Sequence, residues 1–272
     1  MTTDTSEKGL EDLIVEALVG HAPPPETVTD HVLHDPRVPF GLGYVLGNPA
    51  DYDRTYAVDL TRLVEFLAAT QSDLVDKLQL DQDTPLRLSF LDRLQGEIAK
   101  RGVVDVLRRG IKHTQFAHID LFYGTPTPGN SKAEALFEAN VFSVTRQLKY
   151  SKDQTKLALD LCIFINGLAI ATFELKNSYT KQTVDDAVQQ YKRDRDPKEL
   201  LFQFGRCIVH FAVDDSEVRM CTELRGKDSW FLPFNRGWDD GAGNPPNPNG
   251  LKTDYLWNRI LRKTSLAEIV EN

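Results

Sequence analysis

Three ionisable residues within LDLCIFINGLAIATFELKN, Leu159 to Asn177, have the types and spacing to do chemistry together: Asp160, Glu174 and Lys176. Two carboxylates held close repel unless one is protonated or a cation lies between them. A hard divalent ion such as Mg²⁺, which takes oxygen ligands, resolves that repulsion. An ammonium beside the pair can hold an attacking water and help to deprotonate it. The combination suits a hydrolysis assisted by a metal ion.

For these side chains to meet, the stretch must fold as a β-hairpin about Asn166-Gly167. A simple two-residue loop would oppose Asp160 to Phe173 and send the charges to different faces. A three-residue loop, Ile165-Asn166-Gly167 with the glycine left-handed, pairs Phe164 with Leu168 and Asp160 with Thr172. One face then reads Leu157, Leu159, Leu161, Ile163, Ala169, Ala171, Phe173 and Leu175. The other carries Asp160, Glu174 and Lys176 at the end away from the turn, with the two carboxylates diagonal neighbours about 7–8 Å apart. The competing reading places these charges on the wet face of a half-exposed sheet, where charges ordinarily sit. Their clustering inside an otherwise apolar hairpin weighs against it.

The rest of the chain must supply the frame. Its 272 residues are 41% hydrophobic, ordinary for a globular protein. The apolar runs fall far short of the ~20 residues a membrane span needs, and the polar, acidic start is not a signal peptide. Three widely spaced cysteines, Cys162, Cys207 and Cys221, make no zinc pattern and point to a reducing cytoplasm. The six histidines show no ligand spacing. A net charge of −8 excludes a generic DNA coat, but residues 141–200 hold ten Lys+Arg against eight Asp+Glu. A local positive rim is enough for an enzyme acting on a polyanion.

The periodicity predicts a helix over Ser6–Val19, with Ser6 as N-cap and Leu10, Leu13, Ile14, Ala17 and Leu18 on one stripe. His21 to Asp53, with Pro23, Pro24, Pro25, Pro36, Pro39 and Pro49, reads as loop. Helices are expected over 59–80 and 85–109, the latter breaking near Gly102. Strands are expected over 113–123, 140–149, 206–213 and 217–223, and a helix over 184–195. The loop 226–250 should be anchored by Trp230, Phe231, Phe234 and Trp238, and 251–271 is helical in pattern. The expected fold is α/β, a mixed central β-sheet flanked by helices with a helical insertion. Arg146, Lys149, Lys152 and Lys156 crowd the approach to the hairpin; they read either as a solvated edge or as contacts to DNA phosphates, which position a duplex without reading it.

At this point a family likeness emerges. Asp, thirteen residues, then Glu-Leu-Lys resembles the PD-(D/E)xK nuclease core. The ordered blocks TRQLKYSK, LDLCIFINGLAIATFELKN, DDAVQQYKRDRDPKELLF, VHFAVDD and FLPFNRG look like the amino-terminal region of the R (restriction) subunit of type I restriction-modification enzymes. That resemblance implies a Mg²⁺-dependent endonuclease (residues 1–225, with a helical insertion at about 55–110) followed by a linker (226–272) to an ATP-driven motor. No GxxxxGK[ST] occurs, so the chain is expected to be an amino-terminal fragment, with ATP needed only by the full-length protein. The resemblance also implies double-stranded DNA and the methylation and specificity subunits as partners, and a cytoplasmic, membrane-free setting.

Carried over residue by residue, it makes Asp160 and Glu174 the metal carboxylates, the Leu175 carbonyl a further ligand and Lys176 the residue that activates water. A glutamate on the first helix approaches the metal in such enzymes; Glu11, in KGLEDLI, is the matching position. A supporting Gln-x-x-x-Tyr pattern is altered here. Ala187 stands four before Tyr191, leaving Gln190 as the nearer glutamine. The alternatives are a non-catalytic docking or DNA-contact module with a decayed site, and a RecB-like repair nuclease.

Overall fold

The computed structural model describes residues 7–20, 41–113, 118–177 and 181–272. Ser6, most of the proline-rich stretch 21–53 and part of the expected strand 113–123 lie outside them. The centre is the predicted hairpin, β7 (Ala158–Ile165) and β8 (Leu168–Leu175). Its other neighbours are β6 (Phe142–Lys149), antiparallel to β7, and β9 (Val209–Val213), parallel to β8. The short β1 (Val45–Leu46) runs parallel to β6 at one edge. Beyond β9 follow β10 (Val218–Cys221) and β11 (Leu232–Pro233). β2 (Tyr52–Asp53) pairs with β3 (Val58–Asp59), which adds to β8 near the turn. Among the described residues this is one nine-stranded mixed sheet, with a separate pair, β4 (Ile111–Lys112) and β5 (His118–Ile119). The fold is α/β with helices flanking the sheet, as expected.

The hairpin corrects the predicted register. Ile165 pairs with Leu168, so the loop is two residues, and Asn166 and Gly167 are both left-handed at φ 51° and 79°. The extra residue sits in β8: Phe164 faces Ala169 while Ile163 faces Ala171, leaving Ile170 as a bulge. Beyond it Leu161 pairs with Phe173, so Asp160 falls opposite Glu174 rather than Thr172. Glycine is required at 167, where a Cβ would lie 2.3 Å from the Asp59 carbonyl oxygen. Asn166 is buried because its side chain accepts from the Val141 N–H (2.7 Å) and donates to the Leu121 carbonyl (2.9 Å).

The faces also divide differently from expectation. Leu161, Ile163, Ala171, Phe173 and Leu175 join the main core, but Leu159 and Ala169 pack into a second cluster with Cys162, Phe164 and Tyr191. The bulge turns Ala169 over. Neither hairpin face is wet, since every residue of β8 is buried.

Helix α1 (Glu7–Val19) packs its stripe, Leu10, Ile14 and Leu18, into the main core. The segment 60–109 forms α2 (Leu60–Thr70), α3 (Ser72–Leu78), α4 (Pro85–Arg101) and α5 (Val103–Arg109), with Gly102 at φ 81° breaking the last two. Asp59 caps α2 through the Arg62 N–H, and Thr84 caps α4, where Pro85 takes the first turn. α6 (Ser131–Glu138) leads into β6, and α7 (Val184–Asp194) opens on a Thr183/Asp186 capping box. After a π-helical turn at Leu256–Ile260, α8 (Lys263–Glu271) lays Leu266, Ala267 and Val270 into the main core. Of the aromatics expected to anchor 226–250, Phe231 stacks on Tyr191 and Phe234 on Phe211. Trp230 and Trp238 are instead exposed, in a segment whose only strand among the described residues is the two-residue, itself exposed β11.

Candidate functional site

The hairpin end away from the turn brings Asp160 and Glu174 onto one side of the sheet, opposite each other. Directly opposed antiparallel residues lie about 4.5–5.5 Å apart at Cα. One Asp160 carboxylate oxygen accepts from the Leu175 N–H at 2.7 Å, pinning it against the backbone that follows Glu174. Glu174 is completely buried and Lys176 7% exposed, whereas Asp160 is half-buried and keeps a route to solvent. The Lys176 N–H donates to the Val213 carbonyl at 2.8 Å, which extends the β8–β9 pairing to the lysine.

Burial pushes the Glu174 carboxyl up to about 8; neighbouring Asp160 adds to this, and Arg195 and Lys176 oppose it. Its Oε1 accepts from Arg195 Nε at 2.6 Å, while Oε2 is buried with no hydrogen-bond partner among the described residues. A buried oxygen left without a donor is costly. A bound cation would satisfy it. The donors available are hard oxygens, Asp160, Glu174 and the backbone at Leu175, which suit Mg²⁺. Among the described residues no group of three or more His, Cys, Asp or Glu could hold a metal.

α1 brings Glu11 beside this pair. The residue is 9% exposed, and its Oε2 accepts from Gln147 Nε2 at 2.9 Å. Burial raises the Glu11 carboxyl above its usual range, and Asp160 is close enough to raise it further. Arg146 binds Asp12 and lies 3.4 Å from Glu11, so its charge is shared with acids of α1. Lys149, Lys152 and Lys156 are exposed. Lys156 and Gln190 line a cleft of about 750 Å³ between the β6–β7 connection and the end of α7, with Arg195 also in its wall. Tyr191 is fully buried and its hydroxyl meets Thr172 Oγ1 at 2.8 Å, two residues before Glu174.

Sequence reasoning missed Arg195, Tyr150 and His210. Arg195 sits in the charge run KRDRD, where nothing local separates it from its neighbours. His210 pairs in register with Thr172 across β8–β9 and bonds Thr172 Oγ1 through Nδ1 at 2.7 Å. Burial pulls its imidazole down to about 3. A folded value below the unfolded ~6.5 means that stability is intact above 6.5 and lost as pH falls through that range. Between pH 7 and pH 5 the protein should therefore lose roughly 2 kcal/mol more than His210→Asn does. Urea unfolding of both at the two pH values checks this, and parallel pH profiles would refute it.

No helix among the described residues is long and apolar enough to cross a membrane. A family model described as the type I restriction enzyme R protein N terminus matches residues 76–229, more than half the chain. The match spans Asp160, Glu174, Lys176 and Arg195 but not Glu11. No curated protein matches the chain.

Proposed function

Since the chain belongs to the family of type I restriction enzyme R protein N termini, we propose that it is the Mg²⁺-dependent DNA endonuclease part of such a subunit, with a PD-(D/E)xK site. The observation that carries this reading is the unsatisfied Oε2 of buried Glu174 beside Asp160. Asp160 and Glu174 would hold the ion, together with the Leu175 carbonyl, and Glu11 would bear on it from α1. When bound, Mg²⁺ supplies Lewis acidity at the scissile phosphate. Lys176 reaches the same place from the strand end, orients the attacking water and eases loss of its proton. Water oxygen bonds to phosphorus, one P–O ester bond breaks and the leaving oxygen takes up a proton.

Lys149, Lys152 and Lys156 contact phosphates of the bound duplex, and Arg146 does so while tied to α1. Gln190 faces the cleft beside the site, and Tyr191 braces β8 from beneath. In the assembled enzyme this activity is coupled to ATP-driven translocation, alongside the methylation and specificity subunits, in the cytoplasm. Reconstitution with those subunits, ATP and Mg²⁺ tests the reading. Lys176→Ala should lower double-strand cleavage by about 10²-fold or more while ATP hydrolysis persists. Cleavage at the wild-type rate would remove Lys176 from the chemistry. Wild-type complex that translocates but never cuts would favour a docking module.

A further inference from the structure

Arg195 uses every edge of its guanidinium. Nε donates to Glu174 Oε1 at 2.6 Å, one terminal nitrogen to the Tyr150 hydroxyl at 3.2 Å, and the other to the Ala158 carbonyl at 2.8 Å. The Tyr150 ring also lies under the guanidinium, 5.5 Å from centroid to Cζ. Arg195 is 4% exposed and Tyr150 3%.

An arginine that served only to neutralise a buried glutamate would grip both carboxylate oxygens through its fork. Here it takes one. The other has no hydrogen-bond donor among the described residues, although both partners are buried. As a purely structural pair this arrangement is poor, because a buried ion pair stabilises only when its remaining lone pairs are satisfied. As a device for aiming one oxygen it is well built. Arg195 stops rotation of the carboxylate. Tyr150, from the end of β6, and Ala158, from the start of β7, fix Arg195 in turn.

We infer that Arg195 is the positioning residue of the site: by holding Oε1 of Glu174 it presents Oε2 to the divalent cation, with Tyr150 and the Ala158 carbonyl setting its own orientation. This rests on the metal-dependent nuclease reading. Groups that orient a ligand without touching the metal typically change its affinity by about 10–100-fold.

The test is calorimetric titration of the chain with Mn²⁺, with circular dichroism to confirm that each variant is folded. Arg195→Leu should weaken Mn²⁺ binding by at least about 10-fold, and Arg195→Lys should restore part of the loss. Tyr150→Phe, which removes one hydroxyl and no charge, should weaken it by a smaller, measurable factor. In the assembled enzyme the same variants should raise the Mg²⁺ concentration at half-maximal cleavage more than they lower the rate at saturation, a split that loss of fold alone does not give. Unchanged Mn²⁺ affinity in folded Arg195→Leu overturns the inference. If that variant does not fold, unchanged affinity in both Arg195→Lys and Tyr150→Phe overturns it instead. Wild-type protein that binds no Mn²⁺ even with duplex DNA present overturns the nuclease reading, and this inference with it.

Discussion

Asp160→Asn should cut DNA cleavage by the reconstituted complex at least ~10³-fold, the largest effect any single substitution here is expected to have. Asparagine matches aspartate in shape and retains an oxygen to accept from the Leu175 N–H, now made at 2.7 Å. What it lacks is charge. With one of the two proposed anionic ligands neutral, the cation would lose much of its hold, and the scissile phosphate would lose the Lewis acid. Binding and turnover should therefore fall together, unlike Lys176→Ala, where the ion stays and only turnover falls. ATP hydrolysis by the complex and urea stability of the chain should both stay close to wild type. Cleavage within a few-fold of wild type would mean that Asp160 holds no ion.

The second large effect is on stability. The side chains of Glu174 and Arg195 are 0% and 3% exposed, so solvent screens their interaction little. Arg195→Leu leaves a carboxylate in the interior with neither oxygen satisfied, which should cost about 3–5 kcal/mol in urea unfolding. Removing both charges, as Glu174→Leu with Arg195→Leu, should cost less than the two single changes added together, because the stranded charge is gone. Part of the single-variant loss is self-limiting: Glu174 can take up a proton, as its raised carboxyl already favours. The Arg195→Leu deficit should thus be larger at pH 9 than at pH 6. Additive losses in the double variant would show that the two side chains are not energetically coupled.

The placement of the three charges of the candidate site was legible because a strand has period two. Asp160, Glu174 and Lys176 sit at positions that share a face once the hairpin closes, and their types are those the proposed hydrolysis would use. The turn itself is one residue shorter than the pattern suggested. A three-residue loop and a two-residue loop with one bulged residue both shift the pairing enough to keep the charges together, and the structure has the second. A bulge at Ile170 leaves no local mark in LAIATF, since any of several apolar residues could be the extra one. Glu11 was reachable only through the family resemblance, which places a glutamate on the first helix. Arg195 was not, because its role depends on where the chain goes after α7 ends. The same holds for His210, whose place beside Thr172 follows from the pairing of β8 with β9, segments far apart in the chain.

The most direct test of the account is a crystal of the chain grown with duplex DNA and soaked in Mn²⁺, examined by anomalous scattering. The predicted result is a peak between Asp160 and Glu174, with Oε2 of Glu174 among its ligands and Oε1 still on Arg195. A map with no anomalous peak there at saturating Mn²⁺, or with the ion bound elsewhere, would contradict it.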